Sequence, residues 1–290
     1  MLGGPTRFGH DRCVTAIRTR ALRKRYGTRY AVDGIDLTVQ PGEVFALLGP
    51  NGAGKTTTVE ILAGYRRRDG GEVSVLGADP AHAGRAWRAR IGVVLQQASD
   101  LGDLSVIESV RHFAGYYPNP RDPEAVVESV GLTERAGSRV NALSGGQRRR
   151  LDVALGIIGG PELLFLDEPT TGFDPKARRQ FWTLVRALAS DGTTILLTTH
   201  YLDEAEALAD RLAVITDGRI VATDTPAGLG GRATAEATVR WADPGGPRDI
   251  STATPTELIA GLWAGGELPG LTVSRPSLED VYLDLIGEQW

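Results

Sequence analysis

The fold is decided by the stretch Gly49-Pro50-Asn51-Gly52-Ala53-Gly54-Lys55-Thr56-Thr57. It matches the pattern G-x-x-x-x-G-K-[ST] in full, in which the backbone N–H groups of a glycine-rich loop surround phosphate oxygens. The Lys55 ammonium would neutralise phosphate charge, and the Thr56 hydroxyl would ligate Mg²⁺. The preceding run, residues 44–48, is apolar throughout, which predicts a strand buried on both faces. A helix is expected over residues 55–63, so the stretch predicts a nucleotide site where strand meets helix; a tight turn without a ligand is the alternative.

An acidic pair ends a second apolar run. Residues 163–166 are apolar and are followed by Asp167 and Glu168. Both carboxylates would leave a buried strand at its carboxyl end, beside the glycine loop. Asp167 would hold Mg²⁺, directly or through water, and Glu168 would act as general base toward the attacking water. The alternative is that both acids only cap the turn before Pro169.

A second anion-binding site, in addition to the glycine loop, is predicted at Leu143-Ser144-Gly145-Gly146-Gln147. Ser144 is a suitable N-cap, and the two glycines would let backbone amides approach an anion at the positive end of a helix. One nucleotide does not need two anion-binding sites in the same chain. The second site is explained if it binds the γ-phosphate of ATP that is held by a second subunit. An ordinary capped helix is the alternative.

Strands and helices alternate along the chain, which predicts an α/β fold with a mostly parallel sheet. Further strands are expected at residues 14–20, 35–39, 73–76, 91–95, 194–198 and 212–216, and helices at 105–116, 123–130, 145–158, 175–190 and 203–209. We therefore expect a P-loop NTPase (RecA-like) core over residues 14–225, interrupted by a helical insertion at about 99–160. Residues 1–13 are expected to be disordered. A change in composition near residue 226 predicts a small accessory segment from there to residue 290.

Composition indicates an ordinary soluble globular protein, with 41% hydrophobic and 23% charged residues. The net charge of −4 gives no general attraction to nucleic acid. The arginine runs at residues 66–68 and 148–150 are interpreted as solvated basic faces. The sequence has neither a long enough apolar run for a membrane span nor a secretion signal at its N-terminus, so a cytoplasmic protein is expected unless a partner holds it at a membrane.

Together these motifs resemble the ATP-binding subunit of an ABC transporter over residues 21–225. Two further stretches, from Thr199 to Ile220 and from Pro276 to Tyr282, resemble the daunorubicin-resistance branch of the ABC-2-type exporters. The resemblance implies an ATPase that uses ATP and Mg²⁺ and forms head-to-tail dimers with two ATP molecules between the subunits. It also implies a separate integral-membrane permease, drug or antibiotic export, and a peripheral position on the inner face of the cell membrane.

The resemblance assigns four further residues. Gln96 would contact Mg²⁺ or water, with Gln97 as the alternative, and His200 would hydrogen-bond the γ-phosphate. Tyr26 would stack on the adenine ring, with Tyr30 as the alternative. Asp174 closes the segment 171–174, which would contact the second subunit.

Other interpretations stay open at this stage. A DNA-repair or chromosome-organising ATPase would share the motifs, but such proteins usually add coiled coils or zinc modules. A soluble cassette protein of translation or iron–sulfur assembly is the second rival. In the tail, an apolar stripe at helical spacing would dock either on the protein's own core or on the permease or second subunit; its members are Leu278, Val281, Tyr282, Leu285 and Ile286.

Overall fold

The computed structural model describes residues 15–95, 102–243, 245–263 and 267–287. The strands of these ranges are β1 (Ile17–Tyr26), β2 (Arg29–Val39), β3 (Val44–Leu48), β4 (Gly70–Val75), β5 (Ile91–Val94), β6 (Leu163–Asp167), β7 (Thr194–Thr199), β8 (Arg211–Thr216), β9 (Arg219–Asp224), β10 (Ala237–Asp243), β11 (Gly246–Thr252) and β12 (Thr272–Ser274). The helices are α1 (Lys55–Leu62), α2 (Arg85–Arg88), α3 (Val106–Ala114), α4 (Pro123–Ser129), α5 (Gly145–Ile157), α6 (Pro175–Ser190), α7 (Leu202–Leu208), α8 (Pro255–Leu262) and α9 (Leu278–Ile286). In these ranges no helix is both long and apolar enough to cross a membrane.

A six-stranded sheet forms the centre of the molecule, in the order β5-β6-β7-β3-β8-β9. The first five of these strands run parallel, and β9 pairs antiparallel with β8. Parallel strands are joined by crossovers, so their carboxyl ends meet at one edge of the sheet. The loop after β3, the acidic pair at the end of β6 and His200 after β7 therefore lie along the same edge.

Both faces of this sheet are buried, which explains why its strands are apolar runs rather than alternating ones. In β3, Val44, Ala46 and Leu48 pack into one hydrophobic cluster while Phe45 and Leu47 pack into another. The first cluster is completed by α3 to α7 and α9, and the second by α1 and the antiparallel sheet β2-β1-β4. The predicted α/β class with a mostly parallel sheet is confirmed.

The helical insertion packs on the first cluster through α3, α4 and α5. Its predicted beginning, residues 99–101, and the predicted Gln96 site lie outside the described residues, as does the N-terminal segment 1–13. Ser105 begins α3 with a capping box closed by Glu108, and Asp122 caps α4 before Pro123. These caps explain why the predicted helix starts agree with the structure to within a residue.

After residue 225 the chain forms a second three-stranded sheet, β11-β10-β12, and then α9. Leu278 and Tyr282 of α9 are buried in the first cluster, and Val281, Leu285 and Ile286 pack against it partly buried. The predicted stripe thus docks on the protein's own core. The tail strands, β9, α2 and α8 were not predicted from the sequence.

Candidate functional site

The glycine loop joins the end of β3 to α1 and is shaped by contacts that exclude side chains. A Cβ atom on Gly49 would lie 2.2 Å from the Ile215 carbonyl oxygen, and one on Gly54 would lie 2.1 Å from the carbonyl oxygen of Ala31. Gly52 and Gly54 have φ angles of 82° and 105°, a region that other residues rarely adopt. Gly54 is the N-cap of α1 and supplies no side chain to its amides. The loop therefore presents the free N–H groups of a helix start to an anion.

Lys55 folds back over this loop. Its Nζ donates hydrogen bonds to the carbonyl oxygens of Gly49, at 2.7 Å, and Pro50, at 3.1 Å. The same atom lies 3.0 Å from Glu168 Oε1, although only 3% of the side chain is exposed. The buried ammonium is thus neutralised by the carboxylate predicted to be the general base.

Asp167 supplies an oxygen that fits a metal ion. Its Oδ1 accepts a 2.6 Å hydrogen bond from the Thr198 hydroxyl. Its Oδ2 is buried and has no hydrogen-bond partner among the described residues, which is costly for a carboxylate unless a cation occupies the position. Carboxylate and hydroxyl oxygens suit Mg²⁺, and Thr56 is exposed at the start of α1. The chemistry of Asp167 and Thr56 fits the predicted metal.

Glu168 is held in an unusual backbone conformation. Its φ angle is 45°, and its N–H donates to the hydroxyl and carbonyl oxygens of Thr198, at 3.0 and 3.1 Å. Its carboxylate accepts a long hydrogen bond, 3.4 Å, from the Thr171 hydroxyl. Burial alone would raise the pKa of the Glu168 carboxyl, but the hydrogen bond and charge of Lys55, together with His200, lower the pKa below its usual value. Such strain at a reactive residue is typical of functional sites, and the carboxylate is ionised as a general base requires.

A cavity of about 460 Å³ brings these groups together. Its described lining consists of Ala31, Asn51, Gly52, Gly54, Lys55, Thr56, Thr57, Glu168, Thr171 and His200. The His200 Nδ1 lies 3.4 Å from Glu168 Oε2. The predicted base, histidine, lysine and phosphate loop therefore share one cavity.

Ser144 caps α5 as predicted. Its Oγ accepts a hydrogen bond from the Gln147 N–H at 3.3 Å, and Gln147 Oε1 accepts one from the Ser144 N–H at 3.0 Å. A Cβ on Gly145 would meet nothing within 4 Å, so this helix start is open. Among the described residues that line the glycine-loop cavity, none belongs to 144–147.

The arginine run at 148–150 was wrongly interpreted as a solvated face, because Arg149 is only 8% exposed. Its guanidinium donates to the backbone carbonyls of Pro169, at 3.1 Å, of Asp167, at 2.7 Å, and of Leu95. Desolvation lowers the pKa of Arg149, and the nearby Asp152 and Asp167 carboxylates counteract that effect. Through these hydrogen bonds Arg149 links α5 to the backbone of Asp167 and to that of Leu95, the residue before Gln96. Its neighbours Arg148 and Arg150 are chemically identical in sequence, so only the three-dimensional fold distinguishes it.

The other predicted site residues, Tyr26 with its alternative Tyr30 and Asp174, lie at or near the ends of strands and helices. Tyr26 is the last residue of β1 and is 45% exposed, and Tyr30 is the second residue of β2 and is 41% exposed. Lys24 Nζ and Arg66 Cζ lie 5.6 and 5.4 Å from the Tyr26 ring centroid. Asp174 caps α6 by accepting a 2.8 Å hydrogen bond from the Ala177 N–H.

Comparison with known proteins agrees with this geometry. The family model for ABC transporters matches residues 32–171. The chain is 42% identical over 310 residues to the daunorubicin resistance ATP-binding protein DrrA2 of Streptomyces coeruleorubidus, with 94% of this chain and 96% of that protein covered. It is 45% identical over 216 residues to the Nod factor export ATP-binding protein I of Ralstonia nicotianae, covering 72% and 67% of the two chains.

A solved structure of the ATP-binding subunit of an ABC transporter matches with a TM-score of 0.70 at 22% identity, over 93% of this chain and 99% of that one. This likeness confirms the P-loop NTPase fold. The match to DrrA2 extends along nearly the whole of both chains and confirms the resemblance seen in the motifs. The chain therefore belongs to the ABC transporter family, as one of its ATP-binding subunits, and it binds ATP with Mg²⁺ and hydrolyses it.

Proposed function

We propose that this subunit powers the efflux of drugs or antibiotics through a separate membrane permease, in an ABC-2-type exporter where two copies enclose two ATP molecules. The observation that carries the proposal is the division of the anion-binding parts. One cavity holds the glycine loop with Lys55, Glu168 and His200, while the open start of α5 lies outside it. The names of the relatives, daunorubicin resistance and Nod factor export, support export as the process that ATP drives.

Each residue has a chemical task in this proposal. The loop amides and Lys55 bind the phosphates. Thr56, Asp167 and Gln96 would hold Mg²⁺, which would neutralise phosphate charge. Triphosphate binding withdraws Lys55 from Glu168, and Glu168 then accepts the proton of the attacking water. His200 donates a hydrogen bond to the γ-phosphate and orients the water. Tyr26 stacks on the adenine, and Asp174 positions the segment that faces the second copy.

The two-copy arrangement follows from the open helix start at Ser144. Gly145 and Gly146 approach the γ-phosphate of the nucleotide on the partner, so each ATP is enclosed by two chains. Glu168→Gln is the test, because the amide cannot accept the water's proton and ATP stays bound. In size-exclusion chromatography with saturating Mg-ATP, this variant should elute as a dimer and revert to monomer without nucleotide.

The matched control is the double variant Glu168→Gln with Lys55→Ala, which should stay monomeric because ATP is not held. A Glu168→Gln protein that remains monomeric at saturating ATP contradicts the shared nucleotide site.

The permease would hold the subunit at the inner face of the cell membrane. A cavity of about 600 Å³ between the core and the helical insertion offers a contact surface, and its aromatic lining includes Tyr65, Phe113 and Tyr117. Tyr65 is 67% exposed. We propose that a cytoplasmic segment of the permease packs here.

Co-expression with its membrane permease tests this. Resistance to an anthracycline should require Lys55. Phe113→Ala should lower resistance while the purified subunit keeps its ATPase rate, since Phe113 lies away from the glycine-loop cavity. Full resistance with Lys55→Ala would contradict the export function, and full resistance with Phe113→Ala would contradict this docking surface.

A further inference from the structure

His200 is held without a hydrogen bond at its buried ring nitrogen. Its Nδ1 has no hydrogen-bond partner among the described residues, and its 3.4 Å approach to Glu168 Oε2 is only a close charge contact. A polar ring in such a place can rotate unless packing fixes it. A packing contact with a neighbouring side chain can supply that restraint.

That contact is the ring of Tyr201. The centroids of the two rings are 4.1 Å apart, with an angle of 40° between their planes. Tyr201 is itself anchored, because its N–H donates a 3.0 Å hydrogen bond to the Thr199 hydroxyl at the end of β7. The phenol ring also contacts a cation, since Arg178 Cζ lies 4.2 Å from its centroid.

Arg178 belongs to the first turn of α6. Its N–H donates to the carbonyl oxygen of Asp174, at 3.0 Å, and its Nη1 pairs with Asp203 Oδ2, also at 3.0 Å. One turn further along α6, Trp182 donates to the buried Glu204 carboxylate at 3.2 Å. Two side-chain bonds thus join the first half of α6 to the start of α7, and Arg178 lies in the turn of α6 that begins at Asp174.

We propose that Tyr201 is a positioning residue, clamped by Arg178, that holds the His200 imidazole in place beside Glu168. The inference rests on the proposed role of His200 at the γ-phosphate. A guanidinium on an aromatic face is attracted by the ring electrons, and an aromatic neighbour limits the rotation of the imidazole. The position of His200 then depends on the segment that ends at Asp174, which faces the second copy in the proposed dimer.

The test compares Tyr201→Leu with Tyr201→Phe in the purified full-length protein. Leucine removes the aromatic ring, and phenylalanine retains it without the hydroxyl. We expect Tyr201→Leu to lower kcat by about tenfold to a hundredfold with KM for ATP little changed, because a misplaced catalytic group costs rate rather than binding. Tyr201→Phe should keep wild-type kcat.

A second readout follows the histidine itself. The chain has four histidines, so their ring-proton NMR signals can be assigned with single variants, His200 by its loss in His200→Gln. The Tyr201 ring current should displace the His200 signal, and that displacement should persist in Tyr201→Phe and vanish in Tyr201→Leu. His112, whose ring contacts Tyr116 at 5.3 Å, provides the internal control and should not shift.

Arg178→Gln removes the clamping cation but retains the Tyr201 ring in the chain, so it also serves if Tyr201→Leu does not fold. It should shift the His200 signal and lower kcat, whereas Asp203→Asn should change both little, since an exposed ion pair contributes little. If Tyr201→Leu folds and its His200 signal does not move, the proposal is overturned whatever its turnover rate. If only Arg178→Gln folds, an unmoved His200 signal in that variant overturns the proposal in the same way. Wild-type turnover in His200→Gln would instead overturn the role of His200 and leave the positioning of its ring intact.

Discussion

Lys55 and Glu168 neutralise each other across 3.0 Å inside the nucleotide cavity. Both were predictable from the sequence, because each stands at a fixed place in a short motif whose chemistry requires that residue type. The same is true of Asp167 and Thr56. Arg149 was not predictable, because three arginines in a row look alike until the fold buries one of them against three carbonyls.

Lys55→Ala should abolish ATP hydrolysis, because the loop keeps its amides but loses the ammonium that stabilises charge on the transferring phosphoryl group. Lys24 cannot replace it, since its Nζ pairs with Asp69 at 2.9 Å. Steady-state phosphate release by the folded variant measures the effect. Lys24→Ala is the control and should retain turnover, whereas a Lys55→Ala rate above roughly a tenth of wild type would contradict the assigned role.

Asp152 should make stability fall as pH rises. Burial raises the pKa of its carboxyl from 3.8 to about 6, in spite of the attraction of Arg149 and Arg148. The folded protein therefore holds one more proton than the unfolded chain between these values, and its free energy of unfolding decreases as pH rises through that window. Asp152→Asn cannot ionise and should be more stable than wild type by up to about 3 kcal/mol at pH 7 to 8, with the difference shrinking towards pH 4.

Urea denaturation of both proteins at about pH 4 and about pH 8, roughly two units below and above the shifted pKa, measures this difference. The exposed Asp249 is the control, because Arg240 lowers the pKa of its carboxyl, and Asp249→Asn should show no gain at high pH. A stability difference between Asp152→Asn and wild type that does not change with pH would be inconsistent with the shifted pKa.

Helix α5 begins at a turn that Ser144 caps and that leaves open space beside Gly145. Ser144→Arg should leave ATP affinity of the isolated monomer nearly unchanged while removing hydrolysis, because the added bulk obstructs the partner's nucleotide rather than the cavity in the same chain. Equilibrium binding of a fluorescent ATP analogue and phosphate release measure the two effects. An equal loss of monomer affinity would place α5 at its own nucleotide and refute the shared site.

Helices and central strands could be predicted because their patterns reflect burial on one or two faces. The buried strands β3, β6 and β7 are continuous apolar runs, and Ser105, Asp122, Ser144 and Asp174 mark helix starts by capping them. The strands β10 to β12 lacked such a signal. Residues of β11 and β12 are almost all exposed, so their pairing comes from backbone hydrogen bonds with β10 and leaves little hydrophobic pattern in the sequence.

The segment after residue 225 contributes side chains to the main hydrophobic core. Leu278 is 2% exposed and belongs to the cluster that also contains Ala205 and Leu208 of α7. Leu278→Ala should therefore lower the free energy of unfolding by about 2 to 4 kcal/mol. Leu271, which is 37% exposed, is the matched control, and Leu271→Ala should cost less than about 1 kcal/mol.

Denaturant titration gives both stabilities, and ATPase assays on the same folded samples separate stability from chemistry. Since every proposed catalytic residue precedes residue 226, Leu278→Ala should keep wild-type kcat and KM where it remains folded. Loss of turnover in the folded variant would mean that the tail takes part in the reaction. Truncation after Thr225 would expose the surface that α9 covers, so it is a poorer test of the tail's role than the point variant.

The Lys55–Glu168 ion pair also bears on which anions the cavity prefers. A carboxylate paired with an ammonium has a lowered pKa and accepts a proton less readily than an unpaired one. An anion that enters must first outcompete Glu168 for Lys55, which favours a highly charged triphosphate over singly charged anions of the same size. A triphosphate that draws Lys55 away from Glu168 would thereby raise the basicity of the carboxylate that is proposed to accept the proton of the attacking water.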